Sequence, residues 1–374
     1  MLIPPFCPHP ECEYHTQPPG HGRWYHINGS YETLAHGTVT RFKCLGCGGG
    51  FSEQTFRLDY YVKRKLDYQV IFDHMTNCGG VRKTARIMEV SHQAIINRLG
   101  RLARQAIALQ ADVLQDYVPC EDLVTDGFES FVSDQYQPNN IHILAGKRSQ
   151  FFITFDYAHL RRKGKMTELQ KDERDRRERH YIRKRISISQ SFLQIVDLVE
   201  QYAQKRRFTC LYSDEKLEYQ RLVMGSDVLQ SLKSEGRFEH VRISSQLERT
   251  IDNPLFSVNY LDRQFRKDNA NHVRETVRFS ENVNNCLERM AVYQLYQNYF
   301  KPFRIDRPFL QDFSHAEVAG VPRGKIARGL RGIFTMRKFY THVKLNWSQL
   351  MVWARMTGTL DKFDGMYWPK YVWM

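Results

Sequence analysis

No stretch of about eighteen or more apolar residues occurs in this chain, so nothing in it reads as a helix long enough to span a bilayer. Acidic residues are also in short supply, with 41 Asp and Glu against 55 Lys and Arg, a formal net charge of +14. That excess points to an anionic partner, nucleic acid ahead of an acidic membrane face. The opening residues Met1-Leu2-Ile3-Pro4-Pro5 lack the charged-then-apolar layout of a secretory signal, and the expectation is a cytoplasmic protein with no membrane partner. No internal repeat is visible. Cysteines are few, eight in 374 residues, and in a reducing compartment the paired ones read as metal ligands rather than disulfides. Cys78, Cys120, Cys210 and Cys286 are scattered among apolar neighbours and read as small core residues.

What is present suggests two or three folded units, since 374 residues exceed one typical domain. The basic excess is uneven: residues 159–186 carry 12 Lys and Arg against 5 Asp and Glu, and residues 301–345 carry 10 against 3. Either run alone could be a solvated face; together, beside DNA-binding motifs, they point to backbone phosphate contacts. The expected division is a cysteine-bearing module at 1–58, a helical domain at 59–115, a mixed α/β unit at 116–300 with a basic helical insertion at 159–190, and a basic tail at 301–374.

Cys7 and Cys12 form one knuckle and Cys44 and Cys47 a second, each bringing two thiolates to a tight turn. Four thiolates close the tetrahedron of a structural zinc and leave no position for His9 or His15, so a catalytic zinc is not expected. Farther on, apolar residues recur at three and four between Val62 and Leu109, with a break at Cys78-Gly79-Gly80, predicting three helices. Residues 81–88 form a short helix, Glu89-Val90 a turn, and Ser91 caps a second helix to about Gln105. Ala85 suits a close helix crossing, and Ile87, Val90, Ile95 and Leu99 supply the apolar contacts. If the second helix enters a major groove, His92, Gln93, Asn97 and Arg98 reach base edges while Arg82, Lys83, Arg86 and Arg101 meet phosphates. The competing reading is a plain helical hairpin.

Alternating runs predict strands at Leu123 to Phe131, Ile141 to Gly146, Gln150 to Tyr157, Phe208 to Ser213 and Phe238 to Ile243. Helices are expected through the charged stretch 159–186, near Ser191 to Gln204, near Glu215 to Leu229, and from Pro254 to about Phe300. This order, three strands and then alternating helices and strands, is that of a ribonuclease H-like α/β core. In such a sheet the first and fourth strands are neighbours, so Asp126 and Asp214 would converge. Two carboxylates side by side are costly unless cations neutralise them, and two magnesium ions would do so.

These residues resemble those of the insertion sequence one family of transposases: a cysteine ribbon from Cys7 to Cys47, a helix-turn-helix from Val81 to Gln105, and acids at Asp126 and Asp214. In the stretch from Asn259 to Phe279-Ser280, Arg266, Arg274 and the Phe-Ser pair resemble the family's spaced arginines and its Phe-Ser. Residues 314–320 resemble a segment that follows many transposase cores. One departure stands out: the family has a glutamate followed three residues on by asparagine, whereas this chain has Asn259 and then Asp262. Residues three apart share a helix face, so the third acid is carried to Asp262, with Asp268, Glu275 and Glu281 as alternatives. The insertion at 159–186 is longer than the family's.

The resemblance implies a multidomain α+β enzyme: zinc ribbon, helix-turn-helix, ribonuclease H-like core and helical C-terminal tail. It would bind double-stranded DNA at the terminal inverted repeats of its mobile element, free a 3′ hydroxyl, and join that hydroxyl to target DNA. Asp126, Asp214 and Asp262 would hold two Mg2+ or Mn2+ ions, one structural Zn2+ would sit in the ribbon, and Arg266 would meet a DNA phosphate. It further implies at least a dimer, in a prokaryotic cytoplasm and associated with the nucleoid. Two other readings are a transposase-derived transcription regulator that no longer cuts, favoured by Asn259, and a metal-dependent DNA nuclease.

Overall fold

The computed structural model describes residues 2–20, 22–182, 184–273, 278–304, 306, 312–362 and 372–373. Strand β1 (Tyr25–Thr33), β2 (Gly37–Cys44) and β3 (Gly50–Ser52) form a three-stranded antiparallel sheet. So small a sheet buries little by itself. Its core is a knot of rings, Trp24, Phe42, Phe51 and Phe56, closed by Phe339 from the other end of the chain.

Helix α1 (Tyr68–Thr76) begins at Asp67, whose carboxylate accepts from the N–H groups of Gln69 and Val70. The break at Cys78-Gly79-Gly80 leads into α2 (Val81–Ile87), and Ser91 Oγ accepts from Ala94 N–H to start α3 (His92–Gln115). Ala85, Ile95 and Leu99 are buried as expected, but Ile87 is 54% exposed and makes no part of this core. Helix α3 runs ten residues beyond the predicted end at Gln105, because Ala103, Ala106, Ala108 and Ala111 keep it slim enough to lie against the buried helix Val283–Leu295. One cluster of buried side chains joins Ile71, Ile95 and Leu102 to the sheet and to Trp353, so the helices share the core of the larger unit.

That unit holds β4 (Leu123–Phe131), β5 (Pro138–Gly146), β6 (Phe152–His159), β7 (Thr209–Asp214) and β8 (Phe238–Ile243) in the order β6-β5-β4-β7-β8. The first three form an antiparallel meander, and β7 and β8 add in parallel beside β4. After the charged helix α4 (Glu168–Arg179), α5 (Ile188–Lys205) covers one face of the sheet, where Phe192 stacks on Tyr219 beside His142 of β5. The helix expected near 215–229 is two, α6 (Leu217–Met224) and α7 (Asp227–Ser234), parted at Gly225 with Ser226 capping the second. Helix α8 (Phe256–Asp268) covers the other face, its Phe265 against Phe128 and Phe152. The predicted helical run to Phe300 is interrupted after Asp268 and resumes as α9 (Val283–Leu295), buried along nearly its whole length, with a π turn at Tyr296–Phe300.

In both basic segments some cations are paired within the chain, while others, among them Lys163, Lys165, Arg328 and Lys344, stand exposed. In and around α4 the pairs include Arg161 with Glu178 and Asp175, Arg176 and Arg177 with Glu173, Arg185 with Glu178, and Arg177 again with Asp134 and Asp361. Arg162 and Arg177 also lie over the Tyr136 ring, pinning α4 on the β4–β5 turn. The expected tail is a strap. It includes α10 (Arg323–Leu330) and α11 (Trp347–Trp353), and between them it binds the ribbon's exit: Leu58 N–H donates to Thr335 O, Arg337 N–H to Phe56 O, and Lys338 N–H to Gln105 Oε1 of α3. Among the described residues no helix is long and apolar enough to cross a membrane.

Candidate functional site

Cys7 and Cys12 come from the first loop, Cys44 ends β2, and Cys47 sits on the turn that follows. The Sγ atoms of Cys7 and Cys47 are 3.7 Å apart, as are those of Cys12 and Cys44, and all four lie within 4.8 Å of one another. A tetrahedron with zinc–sulfur bonds of about 2.3 Å has edges of about 3.8 Å, so the set fits a structural zinc. Gly49 N–H points at Cys47 Sγ from 3.4 Å, and the His9 ring packs over Gly49, so a Cβ there would push that ring aside. Burial pushes the Cys7 thiol far up and neighbouring sulfurs add to this, against a hydrogen bond at His9; a bound dication reverses that balance. Of the other cysteines, Cys210 and Cys286 are buried as expected, Cys78 is half-buried, and Cys120 is exposed and so is no core residue.

The second group is acidic. Leu123 pairs with Leu211 and Val124 with Tyr212 across parallel β4 and β7, so Asp126, inside β4, and Asp214, at the end of β7, each three positions beyond the first pair, stand level on adjacent strands. Asp126 Oδ1 accepts from Gly127 N–H at 2.7 Å. Gly127 has no alternative there, since a Cβ would run into the Asn140 carboxamide of β5. Burial first, and the Asp214 charge second, raise the Asp126 carboxyl to about 6, with Gly127, Lys216 and Arg249 pulling it down. Asp262, on α8, is held well above the ordinary carboxylate range by burial and then by Asp126, against the cations Arg266, Arg249 and Lys216. Its Oδ1 is buried without a hydrogen-bond partner.

Asp126 therefore feels Asp214, Asp262 feels Asp126, and Asp126 and Asp262 share the cations Lys216 and Arg249. The three carboxylates do not form a closed cage: among the described residues, the four cysteines are the only group of three or more His, Cys, Asp or Glu with ligand atoms all within 4.8 Å. The alternatives for the third acid lie elsewhere. Asp268 accepts from Tyr293 OH at 2.7 Å and faces Lys301, and Glu281 stands 4.0 Å from Arg82 on the helix-turn-helix side. Glu275, like Arg274, lies outside the described residues. Arg266 is half-buried with its guanidinium 4.8 Å from the centre of the Phe128 ring, and its charge pulls the Asp262 carboxyl down.

Two cations escaped the sequence reading. Lys216 follows Asp214 by two residues; its N–H donates to Asp214 Oδ1 at 3.1 Å and its Nζ is 3.9 Å from Oδ2. The cluster Asp-Glu-Lys at a strand end was the available signal. Arg249, exposed on the loop after β8, had none, because only the fold brings it near Asp126 and Asp262.

The helix-turn-helix residues divide. Arg82, Lys83, Arg86, His92, Gln93 and Asn97 are exposed, and Gln93 Nε2 donates to Asn97 Oδ1 at 3.1 Å on one outward face. Arg98 is not on that face. It is 8% exposed and donates to Arg64 O at 2.9 Å and Ala94 O at 3.4 Å, so it cannot read a base. Arg101 likewise turns back to the linker, donating to Leu58 O and Tyr60 O, instead of addressing a phosphate. No known family model matches this chain, and no curated protein matches it.

Proposed function

We propose that the chain is a DNA-processing enzyme of the transposase kind, with a ribonuclease H-like core, that binds duplex DNA through α2 and α3 and cleaves a phosphodiester at Asp126, Asp214 and Asp262. The observation that carries this reading is the level placement of Asp126 and Asp214 on adjacent parallel strands, with the buried, partnerless Asp262 oxygen on α8 feeling the Asp126 charge. Carboxylates crowded together in a half-buried setting favour a multivalent cation, and these three are the residues that would hold Mg2+ or Mn2+. When bound, two such ions activate an attacking hydroxyl and neutralise charge on the leaving oxygen. Lys216 and Arg249 hold positive charge beside the carboxylates and suit an incoming phosphate. The outward side chains of His92, Gln93 and Asn97 offer donors and acceptors to base edges, while Arg82, Lys83 and Arg86 beside them suit the backbone.

In this reading the DNA ends are terminal inverted repeats of a mobile element, two copies of the chain act together, and the setting is a prokaryotic cytoplasm. The test is incubation of the protein with supercoiled DNA carrying the sequence that flanks its gene, with Mg2+ or Mn2+ and with chelator. Metal-dependent cleavage at the flanking ends, followed by joining to a second DNA, is the expected result. Cleavage without joining fits the nuclease alternative. A second reading, a DNA-binding regulator without cleavage, draws on the three aspartates not closing to a set with all ligand atoms within 4.8 Å of one another, and sequence-specific binding without any cleavage supports it.

A further inference from the structure

Between the helix-turn-helix and the core lies a cavity of about 450 Å³, outside the acidic site. Its inner wall includes two buried polar side chains from the core: Arg289 of α9, 6% exposed, and Ser280, 5% exposed. Arg289 Nε has no hydrogen-bond partner among the described residues, and the bond from the guanidinium is a long one, 3.4 Å, to Gly79 O. Among the described residues no carboxylate pairs with Arg289. The acids near it are engaged: Glu288 pairs with Arg355, and Glu281 stands near Arg82 at 4.0 Å. Arg82, Lys83, Arg86 and Arg278 add positive charge to the lining. A buried guanidinium without a counter-charge is costly, and an anion with several acceptor oxygens would relieve it.

We propose that this cavity is a phosphate site that grips the DNA strand between the recognition helix and the acidic residues, an inference that rests on the DNA reading above. His92, at the start of α3, lies on the cavity lining, so DNA docked on that helix passes its opening. The core side of the cavity is tied to the catalytic strand, since Ser133 N–H donates to Ser280 O at 2.8 Å and Val132 bridges to Ser280. From Asp126 to Ser133 the chain covers roughly 23 Å at ordinary strand rise, about seven base steps of a duplex. A phosphate held there would set the distance from the sequence that is read to the bond that is cut. Burial lowers the Arg289 pKa to about 10, which leaves it cationic at neutral pH.

The test compares the full chain with Arg289→Gln and Ser280→Asp, the second placing a carboxylate inside the cavity. Two quantities are measured: the melting temperature with and without millimolar inorganic phosphate, and duplex affinity as a function of salt. Phosphate should raise the melting temperature of the unchanged protein and of neither variant. Each variant should bind duplex about tenfold more weakly, with a salt slope shallower by about 0.9, the loss of one phosphate contact. If Arg289→Gln does not fold, Ser280→Asp carries the test. Folded variants with an unchanged phosphate response and an unchanged slope overturn the site. If the unchanged protein binds no duplex yet gains stability from phosphate through Arg289, the DNA reading falls and the cavity stands as a site for a free phosphate-bearing ligand.

Discussion

His15 joins the two ends of the chain: its Nδ1 lies 2.6 Å from Cys7 O and its Nε2 2.7 Å from Thr341 Oγ1. A carbonyl can only accept, so Nδ1–H donates to Cys7 and Nε2 accepts from the threonine hydroxyl. Phe6 stacks on His342 beside it, with ring centroids 4.0 Å apart. The cysteine knuckle and the C-terminal strap are therefore built as one piece.

From this follows a prediction about metal. The reduced protein should carry close to one zinc, and its removal by chelator should release the strap as well as the ribbon. Limited proteolysis should then cut near residues 336–342 in step with metal loss. Absence of zinc from chelator-free, reduced preparations would sink the ribbon assignment.

Recognition and stability should separate on α3. Asn97→Ala or Gln93→Ala should relax the preference among DNA sequences with little effect on folding, whereas Lys83→Ala should weaken binding to all sequences and flatten the salt dependence. Arg98→Ala should instead destabilise the fold by about 1–3 kcal/mol, because Arg64 O and Ala94 O lose a charged donor in a buried setting. Melting curves and binding to a panel of duplexes distinguish these outcomes. A fully stable Arg98→Ala with altered base preference would contradict the inward placement.

Arg98 is three after Ile95 and four before Leu102, both fully buried, so helical spacing places it on the inner stripe of α3 although its charge suggests the outer one. Strand identities were legible because apolar alternation is strong, and β4 and β8 fall where it placed them. The third strand begins two residues late, because Gln150, at φ +56°, belongs to the preceding turn. Internal pairing of the 159–186 cations was hidden, since Asp134 and Asp361 come from distant parts of the chain. The convergence of Asp126 with Asp214 was readable from strand order, while Arg249 reaches them only through the loop beyond β8.

Acid stability offers a check on the sheet's edge. Asp156 of β6 is raised to about 7 by burial, against hydrogen bonds from Tyr157 N–H and Ser348 Oγ of α11, the latter 3.0 Å. With a folded pKa above the unfolded value, the native state binds the extra proton, so this residue's contribution is present at acid pH and is lost as pH rises through about 7. Asp156→Asn should therefore remove a stability loss between pH 4 and 7, seen as a melting temperature that falls less with rising pH than that of the unchanged protein. Parallel curves for the two proteins would contradict the burial of this carboxyl.

The central claim is that Asp126, Asp214 and Asp262 act as one unit on DNA. Changing any one to Asn keeps shape and removes the charge that would hold a cation, so each single variant should lose cleavage by about as much as the triple variant. Asp268→Asn, whose carboxylate is engaged by Tyr293, serves as the control and should cut normally if it folds. The decisive measurement is metal-dependent cleavage of gene-flanking duplex by the unchanged protein and these variants, with binding measured on the same DNA. The account predicts retained binding and abolished cleavage for all three aspartate variants; normal cutting by Asp262→Asn, or binding without cutting by the unchanged protein in both Mg2+ and Mn2+, would contradict it.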